Sequence, residues 1–312
     1  MPKLTVYVKT YNRPELLRRA VESVLNQTFT DFDFIIIDNG STDNTGDVIR
    51  EYMREDSRIS CITLKENARR PYLFEKGFIE ITEENRFLTV VDDDDYVHRD
   101  MVDTLYRLAV DNDSDISTVG SRFFYSDGHQ EDKFVYDGVY NFNRVEAMWE
   151  LLKREKINAA IGGKLYKKEL YFGVELPKLE VIRDIHKEYR VLEKINKMTC
   201  SGKPMYYFYR HESNMSGLNT IEQLSKEKLN YHLYANRLRT EYLRKRMPEI
   251  GEFVLYSEFS FMISLAQRVR RLQAIDAYEV ADYMIEELTK NKDWLLSCGF
   301  LKEKERDFML SL

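Results

Sequence analysis

Between residues 4 and 64 the chain changes its hydrophobic period repeatedly, and this alternation constrains the fold more than any other feature. LTVYV (4–8), FDFIIID (32–38) and ISCITL (59–64) are short apolar, β-branched runs, while residues 14–25 and 45–53 place apolar positions at helical spacing. Strand, helix, strand, helix, strand, with strands apolar on both faces, is the pattern of a parallel sheet covered on both sides. Pro14 suits a first helical turn, where its missing N–H would have no partner in any case. FLTVV (87–91) predicts a further buried strand, and it runs straight into Asp92, Asp93, Asp94 and Asp95. Ligands of α/β folds bind beyond the carboxyl ends of the strands. Three loops are expected to meet there: residues 9–13, residues 38–43 and the four aspartates.

After residue 217 the texture changes. Residues 218–312 hold a single proline, Pro248, and Tyr231, Tyr234, Leu238, Tyr242 and then Leu255, Phe259, Met262, Ala266 and Val269 fall at helical spacing, so a C-terminal α-helical region is expected. That region is neutral, with 15 Lys+Arg and 15 Asp+Glu, so the formal charge of −6 lies wholly in residues 1–217. A mildly acidic chain has no general field to draw it onto nucleic acid. No window approaches the roughly 18–20 apolar residues of a spanning helix, and MPKLTVYVKTYNRPELL has no long apolar signal core, so a cytoplasmic protein is expected. Cys61, Cys200 and Cys298 are too few and too scattered for a disulfide framework or a zinc site and read as buried thiols. Residues 254–271 are amphipathic and end in Arg268, Arg270 and Arg271. The pattern reads first as a packed face, then as a face for self-association, and it would also suit a membrane surface.

Four successive carboxylates are costly unless a cation offsets them. Mg²⁺ and Mn²⁺ take carboxylate oxygens and share their other positions with phosphate and water. Strand alternation would aim Asp92 and Asp94 at one ligand and Asp93 and Asp95 elsewhere. A solvated acidic loop is the plain alternative. The face of Tyr11 can stack on a base, and Asp or Asn side chains can pair with its edge. DNGSTDNT (38–45) is equally ordinary turn and cap chemistry.

In fixed order, TVYVKTYNRPELLRRAVESVLNQTFTDFDFIIIDNGSTDNT (5–45), FLTVVDDDDYVHRDMVDTL (87–105), GKLYKKELY (163–171) and YYFYRHESNMS (206–216) resemble family 2 glycosyltransferases of the GT-A fold. The resemblance covers about residues 4–217. It implies a Rossmann-like α/β domain with a mostly parallel sheet, residues 1–100 binding the nucleotide and residues 101–217 the acceptor, followed by the helices of 218–312. It implies that Thr10, Tyr11, Asn12, Asp38 and Asn39 surround the donor base, and that Asp92 lies nearer the ribose with Asp93 in the same motif. Asp94 is then a direct ligand of Mn²⁺ or Mg²⁺, Arg69 or Arg70 lies near the diphosphate, and Asp184 is the general base. His211 falls where the family supports a metal or diphosphate contact, although a lone His there is more often an ordinary hydrogen-bonded residue.

Three positions depart from the family pattern. Lys9 stands where a small residue or proline is usual, Asn39 replaces an Asp that accepts a ring N–H of uracil, and Arg183 replaces an acidic neighbour of Asp184. Asn39 both accepts and donates, so a UDP-sugar is expected with other nucleotides open. A helix N-terminus and Arg183 would keep Asp184 ionised. The implied activity is inverting transfer of a sugar to a hydroxyl of a glycan or lipid-linked glycan, in bacterial surface polysaccharide assembly at the inner face of the membrane. Two rivals stand beside it. One is a nucleotide- or glycan-binding protein of the same fold without catalysis. The other is a sugar nucleotidyltransferase, which would want a glycine-rich basic loop that residues 9–16 lack.

Overall fold

The structure is a computed structural model in which residues 4–67, 86–177, 184–210, 218 and 220–312 are described. The chain divides into two compact units, Met1–Glu212 and Ser213–Leu312.

In the first unit, β1 (Leu4–Thr10), β2 (Asp33–Asp38), β3 (Ile59–Thr63) and β4 (Phe87–Asp92) run parallel in the order β3-β2-β1-β4. Leu4, Val6 and Val8 of β1 and Phe34 to Ile37 of β2 are completely buried, so both faces of the sheet need cover. Helix α1 (Pro14–Leu25) supplies Leu17, Ala20, Val21 and Val24, and α2 (Thr45–Glu55) supplies Val48, Ile49 and Tyr52. Each of these elements lies where the hydrophobic period places it. The chain leaves β1 toward β2 and β3 and returns to β4 on the other side of β1. The turns after β1 and β4 therefore diverge, which opens a crevice at their carboxyl ends.

Next come β5 (Tyr96–Val97), α3 (Met101–Asp111), β6 (Ile116–Tyr125), β7 (Gln130–Lys133), β8 (Val139–Asn143), α4 (Arg144–Lys153), β9 (Lys164–Lys167), α5 (Lys168–Phe172), α6 (Asp184–Leu192) and β10 (Lys197–Arg210). Strand β9 enters antiparallel between β4 and β6, and β6 pairs in parallel with β10. The long β10 also pairs antiparallel with β5 beside the aspartates and with β8 at its other end. The result is an α/β fold with a largely parallel central sheet.

The second unit is helical: α7 (Lys226–Arg246), α8 (Gly251–Arg271), α9 (Tyr278–Lys290), α10 (Lys292–Ser297) and α11 (Glu303–Ser311). Helix α8 buries Phe253, Val254, Phe259, Met262, Ile263, Ala266 and Val269 and packs on α7 and α9. The amphipathic face read at 254–271 is thus a packing face, with Arg270 paired to Asp282. Among the described residues no helix is long and apolar enough to cross a membrane. All three cysteines are free, but only Cys200 is buried. Cys61 and Cys298 are half-exposed, which corrects their reading as buried thiols.

Candidate functional site

The first two loops are tied to each other. Asn12 adopts φ 50°, a left-handed conformation that Asn tolerates. Its backbone N–H donates to Ser41 Oγ at 3.0 Å, its Oδ1 accepts from Thr42 N at 2.8 Å and its Nδ2 donates to Thr42 Oγ1 at 3.3 Å, so its side chain serves as a loop pin. Asn39 N donates to Thr10 O at 2.9 Å, Asn39 Nδ2 donates to Asn67 Oδ1 at 2.8 Å, and Asp38 Oδ1 accepts from Ser41 N at 2.9 Å. Gly40 has φ +81°, and a Cβ there would lie 2.5 Å from the backbone of Glu66, so no side chain fits where this turn meets the segment after β3. Thr10, Asp38 and Asn39 are buried, whereas Tyr11 is 38% exposed and presents a ring to solvent.

The acidic turn departs from the expected alternation, because β4 ends at Asp92 and residues 93 and 94 form a turn closed by Asp95 N donating to Asp92 O at 3.1 Å. The period-two rule stops where the strand stops. Asp93 and Asp94 consequently face one partner: Arg13 Nη1 donates to Asp93 Oδ1 at 2.9 Å and to Asp94 Oδ2 at 3.1 Å. Asp95 turns inward, 3% exposed, and accepts from the Tyr206 hydroxyl at 2.8 Å and from Tyr209 N at 2.9 Å. Arg19 donates to the carbonyl of Asp94 and lies between the rings of Tyr96 and Tyr209, 4.9 and 4.2 Å from their centres. Lys9 sits beside Asp92 in the β1–β4 register; burial lowers its pKa, and Asp93 and Asp92 oppose that.

Crowding shifts the carboxyls. Burial, then repulsion from Asp94, pushes Asp95 up to about 8 against the pull of its two donors. For Asp93, burial outweighs Arg13 and the pKa rises. Asp92 is pushed well above the carboxylate range by loss of surrounding water, then by Asp95, Asp184, Asp94 and Asp93. Solvent still reaches Asp92, which tempers the first cause and leaves the like charges as the firmer one. Among the described residues no three His, Cys, Asp or Glu gather as a metal cage. Two carboxylates nevertheless converge on one cationic nitrogen. This donor set fits a divalent ion that draws its remaining ligands from phosphate and water.

Asp184 opens α6, and its Oδ2 accepts from Ile161 N at 3.3 Å. Burial raises its pKa, opposed by the Ile161 N–H, Lys164 and Lys187. The shift is therefore upward, opposite in direction to the one expected from a helix end and Arg183, because loss of water outweighs the donors. Arg183 lies outside the described residues, as do Arg69, Arg70 and His211. The loop before β9 is fixed by Lys164, whose buried ammonium donates to Asn158 O at 3.0 Å, to Asn158 Oδ1 at 2.8 Å and to the carbonyl of Ala160. It also lies 3.3 Å from Glu188 Oε1, while Glu188 Oε2 accepts from Tyr166 at 2.8 Å. Glu188 is locked in that buried pair and is not accessible as a base. At Gly162 a Cβ would fall 2.6 Å from the Tyr206 oxygen, so this loop lies directly against Tyr206.

Arg13, Arg19, Lys164 and Tyr206 had no role in the sequence reading, although Arg13 lies in the loop 9–13 and Lys164 opens the apolar run KLY.

The chain is similar to known glycosyltransferases. The model of the family described as Glycosyl transferase family 2 matches residues 5–171. Glycosyltransferase GlyA of Streptococcus pneumoniae is 27% identical over 223 residues, which are 69% of this chain and 31% of that protein. A Campylobacter jejuni protein named GalNAc(5)-diNAcBac-PP-undecaprenol beta-1,3-glucosyltransferase is 30% identical over 166 residues, 53% of this chain and 51% of that one. The chain thus spans under a third of the first relative and about half of the second. The crystal structure of S. aureus TarS 1-349 in complex with UDP-GlcNAc superposes with a TM-score of 0.63 at 17% identity, covering 93% of this chain and 85% of that one, a likeness of fold.

Proposed function

The chain belongs to glycosyl transferase family 2, and from that premise we propose that it moves a sugar from a nucleoside diphosphate donor, a UDP-sugar first, to a hydroxyl of a glycan or lipid-linked glycan, with inversion. One observation supports this reading: the Tyr206 hydroxyl accepts from Asp92 N at 3.1 Å and lies against Gly162, next to the Ile161 N–H that donates to Asp184, so one side chain links the donor turn to the loop that holds the candidate base.

In this reading Tyr11 stacks on the base, and Thr10, Asp38 and Asn39 form its edge, with the Asn39 amide oriented by Asn67. Asp92 addresses the ribose, and Asp93 stiffens the turn through Arg13. Asp94 would hold Mn²⁺ or Mg²⁺, which when bound offsets the negative charge developing on the leaving diphosphate. Asp184 takes the proton of the acceptor hydroxyl as its oxygen attacks from the opposite face, and a raised pKa makes it a stronger base for that task. The lipid-linked acceptor in the name of the Campylobacter relative supports an acceptor of that class, met at the cytoplasmic face of the membrane. The helices of 218–312 would then place the acceptor or stabilise the protein, because every donor motif precedes them.

Thermal unfolding of the wild type and Asp94→Asn with UDP, with and without Mn²⁺, tests the reading, since a ligand of the native state raises the midpoint by mass action. The wild type gains Mn²⁺-dependent stabilisation, and the variant keeps its fold but loses that gain together with transfer. Full transfer by the variant in chelator-treated buffer would overturn the metal assignment.

A further inference from the structure

We propose that Arg13 is the resident counter-cation of the acidic turn and surrenders Asp94 only when nucleotide and metal arrive together, making metal affinity conditional on the nucleotide. The inference rests on the reading that Asp94 holds a divalent ion. One nitrogen, Arg13 Nη1, lies 2.9 Å from Asp93 Oδ1 and 3.1 Å from Asp94 Oδ2, with the side chains only 27%, 9% and 14% exposed. Pairs this far from bulk solvent are weakly screened by salt. Neighbouring structure fixes the side chain's point of origin. Arg13 lies between the left-handed Asn12 and Pro14 at the start of α1, and its N–H donates to Thr45 Oγ1 at 3.2 Å. From within α1 Arg19 holds the carbonyl of Asp94, so α1 and the residue that precedes it grip one aspartate at both its backbone and its carboxylate.

A metal ion bound through Asp94 Oδ2 would meet the guanidinium within a few ångströms, and the two cations repel. Arginine cannot shed its proton to make room, so it must turn away. It then keeps Asp93 at most, and a diphosphate matches its forked donors in place of Asp94. Metal alone would leave Arg13 with one of its two carboxylates, and nucleotide alone would leave Asp94 without its cation. Each ligand therefore completes the exchange that the other begins, and such coupling is reciprocal.

Titration of Mn²⁺ by calorimetry into the wild type, Arg13→Ala and Arg13→Lys, with and without saturating UDP, tests this. The wild type should bind Mn²⁺ at least tenfold more tightly with UDP than without it. Without UDP, Arg13→Ala should bind Mn²⁺ about tenfold more tightly than the wild type and lose most of the effect of UDP, while Arg13→Lys, which keeps the charge, stays near the wild type. Arg13→Gln carries the same expectation as Arg13→Ala if the alanine variant folds poorly. Folded Ala and Gln variants that bind Mn²⁺ no more tightly than the wild type would make Arg13 a structural pin and overturn the proposal while the metal reading stands. No Mn²⁺ binding to the wild type even with UDP would overturn the metal reading itself.

Discussion

The Tyr206 hydroxyl donates to Asp95 Oδ2 at 2.8 Å, joining β10 to the acidic turn 111 residues earlier. The same oxygen accepts from Asp92 N at 3.1 Å and lies against Gly162, in the loop whose Ile161 N–H donates to Asp184. One phenol therefore touches the acidic turn and lies against the loop that holds the candidate base.

Tyr206→Phe keeps the ring and deletes both bonds, leaving a buried carboxyl short of a donor. A loss of about 1–3 kcal/mol is expected in urea unfolding. A change within about 0.5 kcal/mol, the range of an ordinary surface substitution, would show that the bridge contributes little to the fold.

Asp184→Asn should lower turnover roughly a hundredfold or more while UDP affinity is kept, since an amide cannot take the acceptor proton. Because burial raises the Asp184 pKa in the folded protein, the ionised base is lost at a higher pH than for a free carboxyl. The acid limb of kcat/KM should accordingly lie above the ordinary carboxylate range. An acid limb at the ordinary aspartate value of 3.8 would contradict the assignment.

Asp95 gives a stability prediction of definite sign. Its pKa rises from 3.8 to about 8 on folding. The contribution of its neutral form is complete below the unfolded value and is lost as pH rises through about 8. Chelator-treated wild type should therefore lose thermal stability between these values, and Asp95→Asn should show a flatter profile. Parallel profiles would place the titration elsewhere.

Lys164→Met strands Glu188 as a buried charge, with an expected cost of about 3–5 kcal/mol in denaturant unfolding. Adding Glu188→Gln should recover part of that loss, because the second change removes the stranded charge. Strictly additive effects would mean that the 3.3 Å pair is not energetically coupled.

The parallel half of the sheet was legible because its strands are apolar on both faces and its first helix announces itself with Pro14. Short elements were not. KLYK and QEDK are four residues long with no usable period, so the antiparallel entry of β9 and the β7 hairpin leave little trace in sequence. The aspartates were found, but their orientation was not, since alternation holds only while a strand lasts and this one ends at Asp92. Arg13 lay inside a loop already singled out, yet its partner depends on how the turn at 93–94 folds. The direction of the Asp184 shift was misjudged for the same kind of reason: its burial depends on the loop around Ile161 and Lys164, which only the fold assembles.

The pairing of β10 with the aspartate turn also sets a timetable for synthesis. Tyr206 and Tyr209 follow Asp95 by 111 and 114 residues, so at about 5–20 residues per second a ribosome needs roughly 6–23 s to deliver the donors that Asp95 requires. During that interval β1 to β4 can already gather, while Asp95 stays hydrated and ionised and β4 waits for β9 with one edge open. An exposed edge of that kind is a template for pairing with other chains. The half-made protein thus carries a repelling cluster of negative charge beside its most adhesive strand, and arrival of β10 dehydrates the carboxyl after that protection is no longer needed.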